Sequence, residues 1–163
     1  MSRDLADLTP DTRSAVTRLL SFAKSRGLVP RIDYTRRTCA EQAAIYEQGR
    51  STPGSIVTNA QGCGSYHVLG RAIDINIGSE RCKDYEELGR FWESIGGVWG
   101  GRFALDDCVH FEWPHPTLGL RELCPPGISC EAAVRLQPPA FSPLFAAGLG
   151  LVVGATIVGI VTR

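Results

Sequence analysis

After Thr9-Pro10 the apolar residues fall at helical spacing: Val16, Leu19, Leu20 and Ala23 share one face, and Gly27 closes the segment. Thr9 suits the N-cap and Pro10 the first helical position. Residues 28–35 read as a strand, residues 40–46 as a short helix stopped by Gly49, and the Gly-, Ser- and Pro-rich residues 49–64 as a long, functionally interesting loop. Residues 72–77 alternate strictly, with Ile73, Ile75 and Ile77 on a buried face and Ala72, Asp74 and Asn76 on the other. Helical spacing returns over residues 85–95, where Leu88, Phe91, Trp92 and Ile95 face inward; Trp92 and Trp99 read as core rather than substrate platforms. In residues 109–113 the parity sets Val109, Phe111 and Trp113 inward and His110 and Glu112 on the opposite face. The mixture predicts an α+β domain, a small antiparallel sheet with flanking helices.

The tail breaks this pattern. Residues 141–162 carry no charge, and residues 144–161 form an apolar run of about eighteen, near the lower limit for a bilayer core of roughly 30 Å. A small domain rarely keeps a helix apolar on every side, so a C-terminal transmembrane helix is preferred to a buried core helix. Gly150-x-x-x-Gly154 offers a close helix contact within it. Pro125-Pro126-Gly127 and Pro138-Pro139 mark a linker, giving a folded domain over 1–120, a Pro-rich linker over 121–143 and a transmembrane helix over 144–161.

Composition narrows the partners. Lys+Arg and Asp+Glu balance at 17 each, which argues against nucleic acid, since phosphate-backbone binders carry a basic excess. The balance offers no special attraction to other anionic polymers either. Six cysteines, Cys39, Cys63, Cys82, Cys108, Cys124 and Cys130, are many for a small reduced enzyme. They permit three disulfides in about fifteen connectivities and favour an oxidising environment. No Cys-x-x-Cys pair appears, and Cys124 and Cys130 are too isolated for a four-cysteine zinc site. The start, Met1-Ser-Arg-Asp, reads as lacking a secretory signal, so any export is expected by another route, such as tail insertion.

The candidate chemistry lies in two segments, Ser65-Tyr-His67-Val-Leu-Gly70-Arg-Ala-Ile-Asp74 and Asp107-Cys-Val-His110-Phe-Glu112. An open zinc site takes three nitrogen or oxygen ligands, keeps a fourth position for water and needs a base nearby. His67, Asp74 and His110 suit the ligands, and Asp107 the base. His67 and Asp74 are seven apart with Gly70 between them, which favours a turn feeding a strand over a helical His-Glu-x-x-His site. Asp107 has the wrong parity for a regular strand reaching His110, so a loop or bulge is expected at Asp107-Cys108. The competing reading of each histidine is an ordinary hydrogen-bonded residue, and His115, between Pro114 and Pro116, reads as a loop residue.

The run Arg37-Thr-Cys-Ala-Glu-Gln42, Tyr46-Glu-Gln-Gly-Arg50, Pro53-Gly54, Val57-Thr-Asn-Ala60, Ser65-x-His67-x-x-Gly70-x-Ala72-x-Asp74, Trp99-Gly-Gly101 and Asp107-x-x-His110-Phe-Glu112 resembles the zinc D-Ala-D-Ala carboxypeptidases and L-alanyl-D-glutamate endopeptidases, above all the phage endolysin branch. The resemblance spans roughly residues 10–115. It implies a zinc cleft held by His67, Asp74 and His110, with Asp107 as acid and base. It also implies that Arg37 meets the substrate and polarises the scissile carbonyl, and that Gln42 and Ser65 line the substrate cleft. For Gln42 a helix-face role, and for Ser65 a turn-forming role, are the structural alternatives. Glu112 fits as the acceptor that orients a ligand imidazole. Asp rather than Glu at position 107 favours the endopeptidase branch. Three departures stand out: Val109 where the phage enzymes usually have Pro, and Cys39 and Cys63 inside motif segments.

The implied protein is a zinc-dependent peptidase of the peptidoglycan stem peptide. The alternatives are a D-Ala-D-Ala carboxypeptidase and a non-catalytic zinc-containing binding module, the latter disfavoured by the intact Asp107. The implied location is a membrane whose far side leads to the cell wall, either the internal membrane of a virion or the host inner membrane.

Overall fold

A computed structural model describes residues 1–118. The linker over 121–143, the apolar run over 144–161, Cys124 and Cys130 lie outside the described residues. Among the described residues no helix is long and apolar enough to cross a membrane.

Helix α1, Pro10–Ser25, starts at the expected Thr9-Pro10 boundary and buries Val16, Leu19 and Ala23, while Leu20 packs at the edge of the core. Gly27 follows with φ +76, the left-handed conformation that ends helices. Strand β1, Arg31–Tyr34, is shorter than the apolar pattern suggests, and Pro30, with no N–H to donate, stands immediately before it. Helix α2, Cys39–Glu47, opens at Thr38: the Thr38 hydroxyl accepts from Glu41 N–H, and the Glu41 carboxylate accepts from Thr38 N–H. That Thr-x-x-Glu signature was legible and fixes a start one residue earlier than the apolar pattern alone.

Strand β2 is Ala72–Asn76, helix α3 is Cys82–Ser94, strand β3 is Val98–Trp99 and strand β4 is His110–Glu112. They form one antiparallel sheet in the order β1-β2-β4-β3. Ile73, Ile75 and Phe111 pack with Leu19, Leu88, Trp92 and Trp99 in the main core, each large side chain contributing roughly 1.5–3 kcal/mol. Phe22 of α1 stacks on Phe91 of α3 at 4.2 Å. The alternation in β2 holds, yet Ala72 and Asp74 on the opposite face are buried as well. That second face is covered by polar groups instead of solvent.

Two local features aim β1 and β2 at this face. The β1–β2 register slips between Ile32 and Tyr34, so Tyr34, not Asp33, stands opposite Asp74. A carboxylate directly opposite a carboxylate would be repulsive; Asp33 instead bonds Arg31. Before β2 the chain turns at Gly70, φ +66, where any Cβ would lie 2.7 Å from the Asp7 carbonyl oxygen.

The same turn is latched to α1. Thr9 N–H donates to the Gly70 carbonyl at 3.0 Å, and the Arg71 guanidinium donates to both Asp11 oxygens, at 2.9 and 3.4 Å. Arg71 is only 4% exposed, so losing its partner strands a buried charge. Asp11 is 23% exposed, which reduces the cost below the ~3–5 kcal/mol of a fully buried pair. Asp11→Ala is expected to lose about 2–3 kcal/mol in urea unfolding. Burial opposes ionisation of Asp11, but the Thr9 hydroxyl and Arg71 outweigh it and hold its pKa below the usual value. Its contribution is therefore full above about pH 4 and lost as pH falls through the folded value; Asp11→Asn should flatten the acid limb of the stability profile.

Candidate active site

Antiparallel pairing sets Asp74 of β2 directly across from His110 of β4. His67 arrives from the turn between Ser65 and Gly70, where the Ser65 hydroxyl accepts the His67 backbone N–H at 3.3 Å. All three side chains are buried. Each presents one donor atom, and those atoms lie within 4.8 Å of one another.

The hydrogen bonds behind the rings decide what these atoms can do. His67 Nδ1–H donates to the Thr35 carbonyl at 2.7 Å, leaving Nε2 with its lone pair forward. His110 Nε2–H donates to Glu112 Oε1 at 3.1 Å, leaving Nδ1 forward. These nitrogens are 3.2 Å apart and lie 3.1 and 2.9 Å from Asp74 Oδ1. Three acceptors facing one another require a positive charge between them. Two imidazoles and a carboxylate make a donor set that suits zinc, with both rings held in the binding tautomer. Burial alone would lower the His110 pKa, but hydrogen bonds to Asp74 and Glu112 push it up to about 10. Burial likewise opposes ionisation of Asp74, yet the two imidazoles hold it well below the usual carboxylate range. Protons and a metal therefore compete for the same lone pairs.

Arg37, just before α2, places Nη2 3.1 Å from Asp74 Oδ2, the carboxylate oxygen turned away from the histidines. It also lines a cavity of about 490 Å³ with Ser2, Arg36, Thr38 and Glu41. Gln42 is fully buried: its Oε1 accepts from Arg37 at 3.3 Å, and its amide N–H donates to the Ala60 carbonyl at 2.9 Å. It thereby ties Arg37 to the long loop, while Ser65 faces the turn at His67. Glu112 lies where an orienting acceptor must. The Thr35 carbonyl, which does the same for His67, had no signal in the sequence because it is a backbone atom. Among the described residues His115 bonds only its own loop, at Thr117 and Leu118.

Asp107 stands in a loop before a turn at residues 108–109, as its parity required. Its carboxylate has no hydrogen-bond or ion-pair partner among the described residues. One side is open to solvent; burial on the other raises its pKa, against the pull of nearby His110. The loop is held through its backbone: Asp107 N–H donates to the Gly100 carbonyl at 3.0 Å, and Trp99 Nε1–H to the Cys108 carbonyl at 2.9 Å.

The unexpected cysteines explain themselves here. Cys39 is bonded to Cys63, and Cys82 to Cys108. The first joins the start of α2 to the segment before Ser65, and the second joins the start of α3 to the residue after Asp107.

Two imidazoles and a carboxylate converging on an antiparallel sheet, with an unpaired carboxylate at the rim, form the equipment of a zinc metallopeptidase. A family model described as D-alanyl-D-alanine carboxypeptidase matches residues 58–113. The peptidoglycan L-alanyl-D-glutamate endopeptidase CwlK of Bacillus subtilis is 32% identical over 123 residues, 66% of this chain and 74% of that protein. The L-alanyl-D-glutamate peptidase of a Listeria phage is 28% identical over 130 residues, 72% of this chain and 43% of its own length. Among solved structures, the Serratia marcescens L-Ala D-Glu endopeptidase ChiX superposes with a TM-score of 0.50 at 20% identity, covering 68% of this chain and 83% of its own. The vancomycin-resistance D,D-pentapeptidase VanY in complex with Zn(II) gives 0.50 at 17% identity, with 78% and 76% coverage. The chain belongs to the family of zinc D-Ala-D-Ala carboxypeptidases and L-alanyl-D-glutamate endopeptidases.

Within the Trp99-Gly-Gly101 motif, Gly100 has a concrete task. A Cβ there would run into the Asp107 carbonyl oxygen and lie 3.0 Å from His110 Cβ and 3.2 Å from Asp107 Cβ. Gly100→Ala should therefore displace the Asp107 loop. A shift of about 1 Å costs catalysis up to ~100-fold, so kcat should fall at least tenfold while far-UV circular dichroism stays unchanged; normal kcat would show that the loop tolerates the methyl.

Proposed function

We propose that this chain is a zinc peptidoglycan hydrolase that cuts the stem peptide between L-alanine and D-glutamate. The observation that carries the reading is the His67, Asp74 and His110 cluster with Asp107 at its rim, in a chain 32% identical to a peptidoglycan L-alanyl-D-glutamate endopeptidase.

His67, Asp74 and His110 would hold the metal, and zinc there supplies the Lewis acidity that activates water and polarises a carbonyl. Asp107 takes the proton from the attacking water and returns it to the leaving amine. Arg37 donates to the carbonyl oxygen as negative charge develops, with Gln42 holding the guanidinium in place. Glu112 and the Thr35 carbonyl keep the rings in the binding tautomer. Ser65 shapes the turn that bounds the substrate cleft beside His67.

The apolar run over 144–161 is the membrane anchor in this reading, joined by the linker over 121–143 to a catalytic domain that ends near residue 120. The disulfides favour a domain facing the wall rather than the cytosol. The internal membrane of a virion and the host inner membrane both satisfy that arrangement.

Purified protein should hold about one zinc, and His67→Ala should lose both metal and activity. Asp107→Asn should keep the zinc and lose at least 100-fold in kcat; stoichiometric zinc in His67→Ala, or normal turnover in Asp107→Asn, would overturn the respective assignment. Mass spectrometry of digested peptidoglycan should find new N-terminal D-glutamate or its amide and no free D-alanine, whereas D-alanine release would assign the carboxypeptidase reaction. Truncation after Gln137 should convert a detergent-requiring protein into a soluble, active one, and unchanged membrane partitioning would remove the anchor.

A further inference from the structure

To carry protons at a fixed place, the unpaired Asp107 carboxylate needs its loop held. Its own oxygens bond nothing among the described residues. On the β3 side the loop is tied by the Gly100 carbonyl and the Trp99 indole. Residues 104–106 beside it are exposed, with Leu105 65% exposed. On the other side stands a covalent tie: Cys108, next in sequence to Asp107, is bonded to Cys82, the first residue of α3, with a Cα–Cα distance of 4.9 Å. Helix α3 is anchored in the core by Tyr85, Leu88 and Trp92, all at most 1% exposed. The bond thus connects a helix anchored in the core to the residue following the carboxylate, across 26 positions of sequence.

We infer that the Cys82–Cys108 disulfide is the positioning element for Asp107, so that turnover depends on this bond while metal binding does not. His67, Asp74 and His110 are held independently, by the β2–β4 register and by the Thr35 and Glu112 acceptors. Opening the bond leaves these in place and loosens the 103–108 loop, which then relies on hydrogen bonds such as those to Gly100 and Trp99. A phosphine opens it cleanly: the S–S bond becomes two thiols, and the phosphine takes an oxygen from water to become its oxide. The enzyme is then at full activity only where thiols are oxidised, the side of a membrane on which peptidoglycan lies.

The inference rests on the catalytic reading of Asp107, and the test separates the two. In the full chain, Cys82→Ala/Cys108→Ala should lower kcat tenfold or more, with KM within twofold and zinc content unchanged. Should that variant fail to fold, phosphine reduction of the full chain carrying Cys39→Ala, Cys63→Ala, Cys124→Ala and Cys130→Ala should give the same fall, reversed on reoxidation. In an Asp107→Asn background, removing the disulfide should lower the residual rate no further. Unchanged kcat without the bond overturns the inference, and so does an equal further fall in the Asp107→Asn background, which would mark a general structural role. Normal turnover of Asp107→Asn with the bond intact overturns the reading of Asp107 instead.

Discussion

The structure turns on three acceptor atoms made to face one another. His67 Nε2, His110 Nδ1 and Asp74 Oδ1 stand 2.9–3.2 Å apart in a buried setting, where unshared lone pairs repel and a cation between them is strongly favoured. Hydrogen bonds behind the rings prevent the histidines from escaping by changing tautomer. Thr35 and Glu112 thus shape the cluster as much as the atoms that meet there, and the Arg37 guanidinium bonds the far oxygen of Asp74.

Much of the surrounding architecture supplies rigidity to that arrangement. Strand pairing sets Asp74 against His110, the slip in β1 removes Asp33 from the facing position, and the turn at Gly70 delivers His67 from the side. The Asp11–Arg71 latch fixes this turn to the first helix. The two disulfides and Gln42 tie down segments with little regular structure. A small sheet of short strands has few backbone hydrogen bonds to give, so covalent and side-chain ties take over where the loops carry the chemistry.

Chemical roles divide in the same way. The three residues that could hold a metal, His67, Asp74 and His110, sit on the sheet or beside it, where geometry is set by register. Asp107 sits on a loop at the rim, open to water on one side and raised in pKa by burial on the other. Gln42, fully buried, braces Arg37 against the long loop, so the guanidinium is held on one side of the cluster while Asp107 stands on the other.

The helices α1 and α3, strand β2 and the facing of His110 and Glu112 were legible in the sequence, because apolar periodicity reports which side of an element is buried. So were the ligand candidates, since few histidines exist and two of them lie beside carboxylates in strand-like segments. The need for a loop at Asp107 followed from parity alone. Tertiary structure decided the rest: which cysteines pair, that the Asp74 face of β2 is covered rather than open, that Thr35 offers its carbonyl to His67, and that Gly100 must lack a side chain for Asp107 to fit. These are relations between residues distant along the chain, or between backbone atoms that every residue possesses, and periodicity along one segment carries no information about either.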